Sequence, residues 1–138
     1  MKKLLHLSGL SLAALVLLSG CHLKEKYSKN NADGRAWLEA AQTGPARTSF
    51  EGVFYSPEWG AVVLNQNGNK LTGAVAHMSV DGVVSGRTAS LLLVDDTWVE
   101  YTMKLRRKSY EEISGTYSAY VPYSETDALP VTLYRISQ

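Results

Sequence analysis

The apolar residues of this chain come in three successive arrangements. From Leu4 to Leu18 they are almost continuous, Leu, Ala and Val broken by His6 and a few serines. In HLKEKYSKNNADG, His22 to Gly34, they nearly vanish and show no period. From Arg47 onward they alternate with polar residues in short stretches separated by turn residues. In TWVEYTMKLR, Val99, Tyr101, Met103 and Leu105 fall on one face of an extended chain, and Trp98, Glu100, Thr102, Lys104 and Arg106 on the other. In ISGTYSAYV, Ile113, Gly115, Tyr117, Ala119 and Val121 share a face, with Ser114, Thr116 and Ser118 opposite. One buried and one wet face is the mark of an antiparallel sheet. ASLLLVDD is apolar on both faces, so it must be covered on both sides or lie under a helix.

Ser56-Pro57-Glu58, Asn67-Gly68-Asn69, Asp81-Gly82 and Asp95-Asp96 read as turns, and Asn-Gly and Asp-Gly between apolar runs are strong hairpin signals. They predict strands at about 49–55, 60–66, 70–80, 83–94 (as one or as two split near Gly86-Arg87), 97–106, 111–121 and 130–136. Asp33 can cap a first turn, Glu39 and the alanines favour helix, and Gly44-Pro45 stops it, so a single short helix is expected over 33–44. The fold class is all-β: an antiparallel up-and-down meander closing as a seven- or eight-stranded barrel, preceded by one short helix. Closure removes the sticky edges that an open meander would leave.

The first arrangement is an address. Lys2 and Lys3 precede an apolar run too short to span a bilayer, which takes about 20 residues, but suited to the core of a secretory signal peptide. Leu18-Ser19-Gly20-Cys21 resembles the lipobox of bacterial lipoproteins. In that family the cysteine sulfur receives a diacylglycerol, the peptide is cut just before it, and the new amino group is acylated. The resemblance implies that Cys21, the only cysteine, is a lipid attachment point. Several acyl chains anchor stably where one does not. His22 stands where an aspartate would favour inner-membrane retention in the Gram-negative family, so an outer-membrane, periplasm-facing protein is expected. The expected organisation is a signal peptide at 1–20, a flexible tether at 21–32 and a single barrel domain at 33–138.

Removing Lys2 and Lys3 leaves twelve basic against thirteen acidic side chains, a net charge of −1. That balance gives no footprint for nucleic acid, which wants a basic face. A lone cysteine excludes internal disulfides, so stability has to come from the core.

FEGVFYSPEWGAVVLNQNGNKLTGAVAHMSVDGVVSGR together with EEISGTYSAY resembles the calycin group, and within it the avidin-type barrels. Phe50-x-Gly52, the NGNKLTG hairpin, Gly82 to Gly86 and Ser114 to Tyr117 carry the likeness, over residues 46 to 138. Lipocalins proper have Gly-x-Trp in the first strand, whereas Val53-Phe54 follows Gly52 here, and the ligand contacts of avidins do not align. The resemblance implies a small barrel and a binding role, with an interior either open for a ligand or filled.

Candidate chemistry is thin. His77, the only histidine past residue 22, is expected on a strand beside Leu71, Gly73 and Val75. One histidine without cysteine partners does not make a zinc site unless carboxylates converge. Asp95-Asp96 and Glu111-Glu112 sit at turns, and Gly-x-Ser-x-Gly is absent. Arg106-Arg107-Lys108 reads as a hairpin end able to touch anionic headgroups or a partner, and Arg87 as an internal counter-charge or a solvent-facing group. No catalytic residue, metal ligand or cofactor is assigned. The aromatics are more telling: Phe54, Tyr55 and Trp59 lie around the first turn and Tyr120 and Tyr123 in the longest loop. Tyr55, Trp59, Tyr120 and Tyr123 are the candidates for a binding mouth if both loops lie at one end, since Trp and Tyr give large contact area with a polar handle. The expected function is a non-catalytic, membrane-anchored lipoprotein that takes a small or amphipathic ligand at the barrel mouth. The alternative is a protein-interaction lipoprotein, an envelope assembly partner or enzyme inhibitor, using exposed aromatic loops.

Overall fold

The computed structural model describes residues 25–136. The expected signal peptide, the expected lipidation site Cys21 and residues 22–24 lie outside the described residues. A helix, α1, covers 25–41. Eight antiparallel strands follow in sequence order, and the last pairs with the first to close a barrel. They are β1 (Gly52–Ser56), β2 (Gly60–Asn67), β3 (Lys70–Val75), β4 (Met78–Ser85), β5 (Thr88–Asp95), β6 (Trp98–Arg107), β7 (Glu112–Ser118) and β8 (Leu129–Arg135). This is the all-β meander the alternation predicts, and it is compatible with a calycin-like small barrel.

Up-and-down order sends successive turns to opposite ends. The β1–β2, β3–β4 and β5–β6 turns and the β7–β8 loop share one end, marked by Trp59. The β2–β3, β4–β5 and β6–β7 turns share the other with the segment entering β1, marked by Phe50. Between them the interior is filled: Phe54, Leu64, Leu71, Leu91, Met103 and Leu133 are each at most 1% exposed. They belong to a single cluster that every strand supplies. An eight-stranded barrel has just enough room for its own side chains or for one small ligand, and here the side chains take it. At Gly73 and Gly115 a neighbouring strand lies too close for a side chain. A Cβ at either would run into the neighbouring strand's carbonyl oxygen, that of Val63 or of Lys104, which is why strand interiors carry glycine there.

One turn and one strand face differ from expectation. Asp81-Gly82 lies in the middle of β4, and the chain reverses instead at Ala76-His77, with Ala76 at φ 53°. Turn chemistry failed as a guide because Gly82 serves packing: a Cβ there would sit 3.0 Å from the Ser90 carbonyl oxygen. In β6 the face assignment breaks at its first residues. The pairing shifts between Leu93 and Val94, so that Val94 opposes Val99 while Leu93 opposes Tyr101. This bulge turns Val99 outward, away from Tyr101, Met103 and Leu105.

Outside, Val99 joins Leu92 and Leu38 of α1 in a second cluster, with Trp37, Val83, Val94 and Val121 against it. The doubly apolar β5 therefore does lie under the helix. Gly34 permits the approach, since a Cβ there would meet Val121, Leu92 and Val99 at 3.2–3.3 Å.

The expected tether is corrected over most of its length, for α1 begins at or before residue 25 rather than at 33. Its less exposed positions, 27, 30, 31, 33, 34, 37, 38 and 41, form one helical stripe that the sparse apolar residues hide. Polar and aromatic contacts hold that early part. Asn31 donates to the Thr97 carbonyl (2.9 Å) and accepts from the Val99 N–H (2.8 Å). Tyr27 packs on Trp98 with ring centroids 5.4 Å apart. The helix stops at 41, and the chain turns over the Phe50 end, where the Thr43 and Gly44 N–H groups donate to Ser85 Oγ.

Candidate functional site

The two barrel ends are closed by different means. At the Trp59 end, SPEWG folds on its own side chains. Ser56 Oγ accepts the Trp59 N–H (3.2 Å) and donates to Glu58 Oε2 (2.8 Å). This sets the Trp59 ring edge-on against Tyr101 and Tyr117, each with centroids 5.0 Å away, as a plug above the core. The buried Trp59 Nε1–H has no hydrogen-bond partner among the described residues. β1 ends at Ser56, too early to pair with the first half of β8. There Pro130 has no N–H to offer, and the Thr132 N–H reaches Glu58 Oε2 at 3.5 Å. Desolvation works against the Glu58 charge. The Ser56 hydroxyl, its own backbone N–H and that of Thr132 outweigh it together and hold the carboxyl below its usual range.

Both loops expected to form the aromatic mouth do lie at this end, but the four candidate rings do not stack on one another. Tyr55 points outward from β1 and is 51% exposed. Trp59 points to the core. Tyr120 is exposed, its carbonyl accepting from Thr102 Oγ1. Tyr123 folds back over the outer wall, stacking on Trp37 at 5.8 Å, bonding Thr116 through its hydroxyl and lying under Lys104 Nζ. The mouth is instead Trp59 with Tyr101 and Tyr117. Alternation put both on the apolar faces of their strands, but did not mark them as partners of a turn more than forty residues earlier.

The Phe50 end is closed by chain and arginine. Phe50 is fully buried, its N–H donating to Gln66 Oε1 (2.7 Å). Arg107 rivets the β6–β7 turn to this plug by donating to the carbonyls of Ser49, Ser109 and Tyr110. Arg135 donates to the carbonyls of Tyr110 and Glu51 and stacks on the Tyr110 ring, 4.1 Å from its centroid. Burial, then the neighbouring Arg135 cation, hold the Arg107 guanidinium below its ordinary value.

Charge is sorted between the ends. Glu58, Asp96, Glu125 and Asp127 lie in the turns of the Trp59 end and Asp95 ends β5 beside them, and those turns hold no Lys or Arg. The Phe50 end carries Arg47, Lys70, Arg87 and Arg135 as well as the Arg106-Arg107-Lys108 run, against Glu51, Glu111 and Glu112. The run was visible in the sequence. Its gathering with Arg47, Arg87 and Arg135 was not, because those residues are scattered along the chain.

His77 is not on a strand face with Leu71. It sits in the β3–β4 turn with its side chain 72% exposed, Nε2 3.5 Å from Asp95 Oδ2. Among the described residues no three of His, Cys, Asp and Glu gather closely enough to hold a metal ion. Compared with protein-family models, with curated protein sequences and with solved structures, the chain matches none.

Proposed function

We propose that this chain is a lipid-anchored, non-catalytic lipoprotein of the bacterial outer membrane, acylated at Cys21, that recognises a protein partner with its outer surface. One observation carries the choice of partner over interior ligand: the barrel is solid, plugged by Phe50 at one end and by Trp59, Tyr101 and Tyr117 at the other. A binding barrel of the avidin or lipocalin kind needs the space these side chains occupy.

The wall away from the helix offers the contact surface. There Tyr55 of β1 pairs with Tyr134 of β8 and Ala61 of β2, all facing out, with Val63 beside them. Tyr55, Tyr134 and Val63 are 51%, 46% and 38% exposed. Exposed aromatic and aliphatic groups held on a rigid sheet are the material of interface anchors.

Two measurements test the reading. Labelled palmitate should enter the wild type in cells and not Cys21→Ser. A photo-crosslinking residue at 55 or 134 should give a discrete adduct that the same residue at Glu39, on the outer side of α1, does not. Failure of labelling sinks the anchor, and adducts equal at all three positions sink the contact surface. The unpartnered Trp59 Nε1–H is the single feature favouring a small ligand at the mouth. Native mass spectrometry of the protein from residue 22 on, showing a bound small molecule lost in Trp59→Phe, would establish that second reading.

A further inference from the structure

We infer that the Phe50 end carries a binding cleft for a phosphate-bearing anion, independent of the partner surface and of the lipid anchor. An open cleft of about 350 Å³ lies between the segment entering β1, the β4–β5 turn and the β6–β7 turn. Five of its lining side chains are cationic: Arg47, Arg87, Arg106, Arg107 and Lys108. The rest of the lining is Thr48, Ser109 and Tyr110, so among the described residues no carboxylate lines the cleft, and Glu112 beside it is paired with Lys108.

The cations divide by what they already do. Arg107 is spent on three carbonyls and holds the floor in place. Lys108 pairs with Glu112 at 3.3 Å. Arg47, Arg87 and Arg106 are exposed and make no side-chain hydrogen bond or ion pair among the described residues. A protein stabilised only from within has no use for three uncommitted guanidinium groups beside two further cations, because like charges repel in the folded state. A multiply charged oxyanion turns that repulsion into attraction. Guanidinium forks match phosphate oxygens two bonds at a time, where an ammonium acts as a point charge. Hydroxyl groups on the same rim supply neutral donors for the remaining oxygens. The neighbouring hollow shares Arg47 and Arg107 with the cleft but contains Glu51, and its Arg135 is tied to carbonyls, so it has one uncommitted cation where the cleft has three.

The ligand class is therefore a phosphate monoester, a pyrophosphate or the phosphate of a lipid headgroup. Position bears on the source. α1 runs from the β5–β6 turn at the Trp59 end to the Phe50 end, about 25 Å for its seventeen residues. The cleft thus opens at the end opposite to the start of the described chain.

The protein from residue 22 on, which keeps every described element, is titrated calorimetrically with inorganic pyrophosphate in 50 mM salt. It is also sedimented with phosphatidylcholine vesicles with or without phosphatidic acid. The expected result is saturable binding of one pyrophosphate. Affinity should fall at least about tenfold in 0.5 M salt, as exposed charge interactions do, and as much in Arg47→Gln/Arg106→Gln. Lys70→Gln, a cation of the same end outside the cleft, should bind as the wild type does. Pyrophosphate should also raise the melting temperature of the wild type but not of the double variant. Binding to phosphatidic acid vesicles alone, abolished by the same double variant, assigns the phosphate to a lipid headgroup, and binding to pyrophosphate alone assigns it to a soluble ligand. Absence of both, or equal affinity in wild type and double variant, overturns the assignment. Because the two arginines make no internal bonds, the double variant should melt no lower than the wild type without ligand, and that melt controls for misfolding.

Discussion

The two ends of one barrel solve the same problem with opposite chemistry. At the Trp59 end a five-residue turn folds back its own aromatic ring, and three rings close the core while carboxylates collect in the turns around them. At the Phe50 end a separate segment crosses the opening, a phenylalanine goes to the bottom, and arginines lash the segment to the turns. In the aromatic plug the turn that presents the ring is local, since Ser56, Glu58 and Trp59 meet within it, although the rings it meets come from β6 and β7. The arginine plug is long-range, joining Ser49 to Arg107 and Glu51 to Arg135. Local closure leaves its surroundings free to vary, whereas closure through arginine fixes a positive surface wherever it is used. The acidic end is also where α1 is pinned by Asn31, and the basic end is where α1 lets go.

The sharpest test of this contrast is removal of each plug. Phe50→Ala should cost about 3–5 kcal/mol, since it empties a fully buried site. Trp59→Ala, whose ring is only half-buried, should cost about 2 kcal/mol. Urea unfolding measures both, and equal costs would mean the two closures are energetically alike.

Next comes the pinning of α1. Asn31→Ala removes two bonds to the β5–β6 turn and should lower stability by about 1–2 kcal/mol. Hydrogen exchange should rise first in the early turns of the helix and not at Thr43. Uniform acceleration over the whole of α1 would show that the apolar stripe, and not Asn31, sets its docking.

Glu58 supplies a pH test confined to the Trp59 end. Its carboxyl titrates lower in the folded chain than in the unfolded one, so the unfolded state binds the extra proton. Its contribution is complete above the unfolded value of 4.5 and is lost as the pH falls through the folded value. Glu58→Gln should cost about 0.5–1 kcal/mol at pH 7, small because the group is exposed, and little at an acid pH below the folded value. A variant equally destabilised at both pH values would place the effect in the turn's shape instead of the charge. Smallest is the effect of Arg87→Gln, which relieves repulsion at the Phe50 end and should raise stability by about 0.3–0.5 kcal/mol at low salt. The gain should disappear in 1 M salt.

Much of the architecture was legible along the chain. Alternation identified most of β6 and β7 as far as Ser118, although Val121, expected on the face of Ile113, packs outside against Leu38 and Leu92. The two apolar faces of β5 announced a cover before any helix was placed on it. Turn chemistry marked the reversals at Ser56-Pro57-Glu58, Asn67-Gly68 and Asp95-Asp96. It misplaced the one at Ala76-His77, because an alanine with positive φ leaves no signal, and because Gly82 was taken for a turn when its role is to let strands approach. Val99 was assigned to the wrong face because a bulge is a property of two paired strands, not of either. The helix was placed late because its first turns are held by Asn31 and Tyr27, whose partners lie in the β5–β6 hairpin.

By itself the sequence determined periodicity, and therefore class: period-two alternation with frequent turns commits a chain to sheets, and a meander without edges commits it to a barrel. It also determined what the core is made of. Tertiary structure alone decided where charge would lie. Twelve cations and thirteen anions nearly cancel in a sum over the chain after residue 20, but up-and-down topology sends alternate turns to opposite ends, and the turns differ in sign. A count discards position, whereas an electric field depends on it, so a chain close to neutral folds into a barrel with one basic and one acidic end.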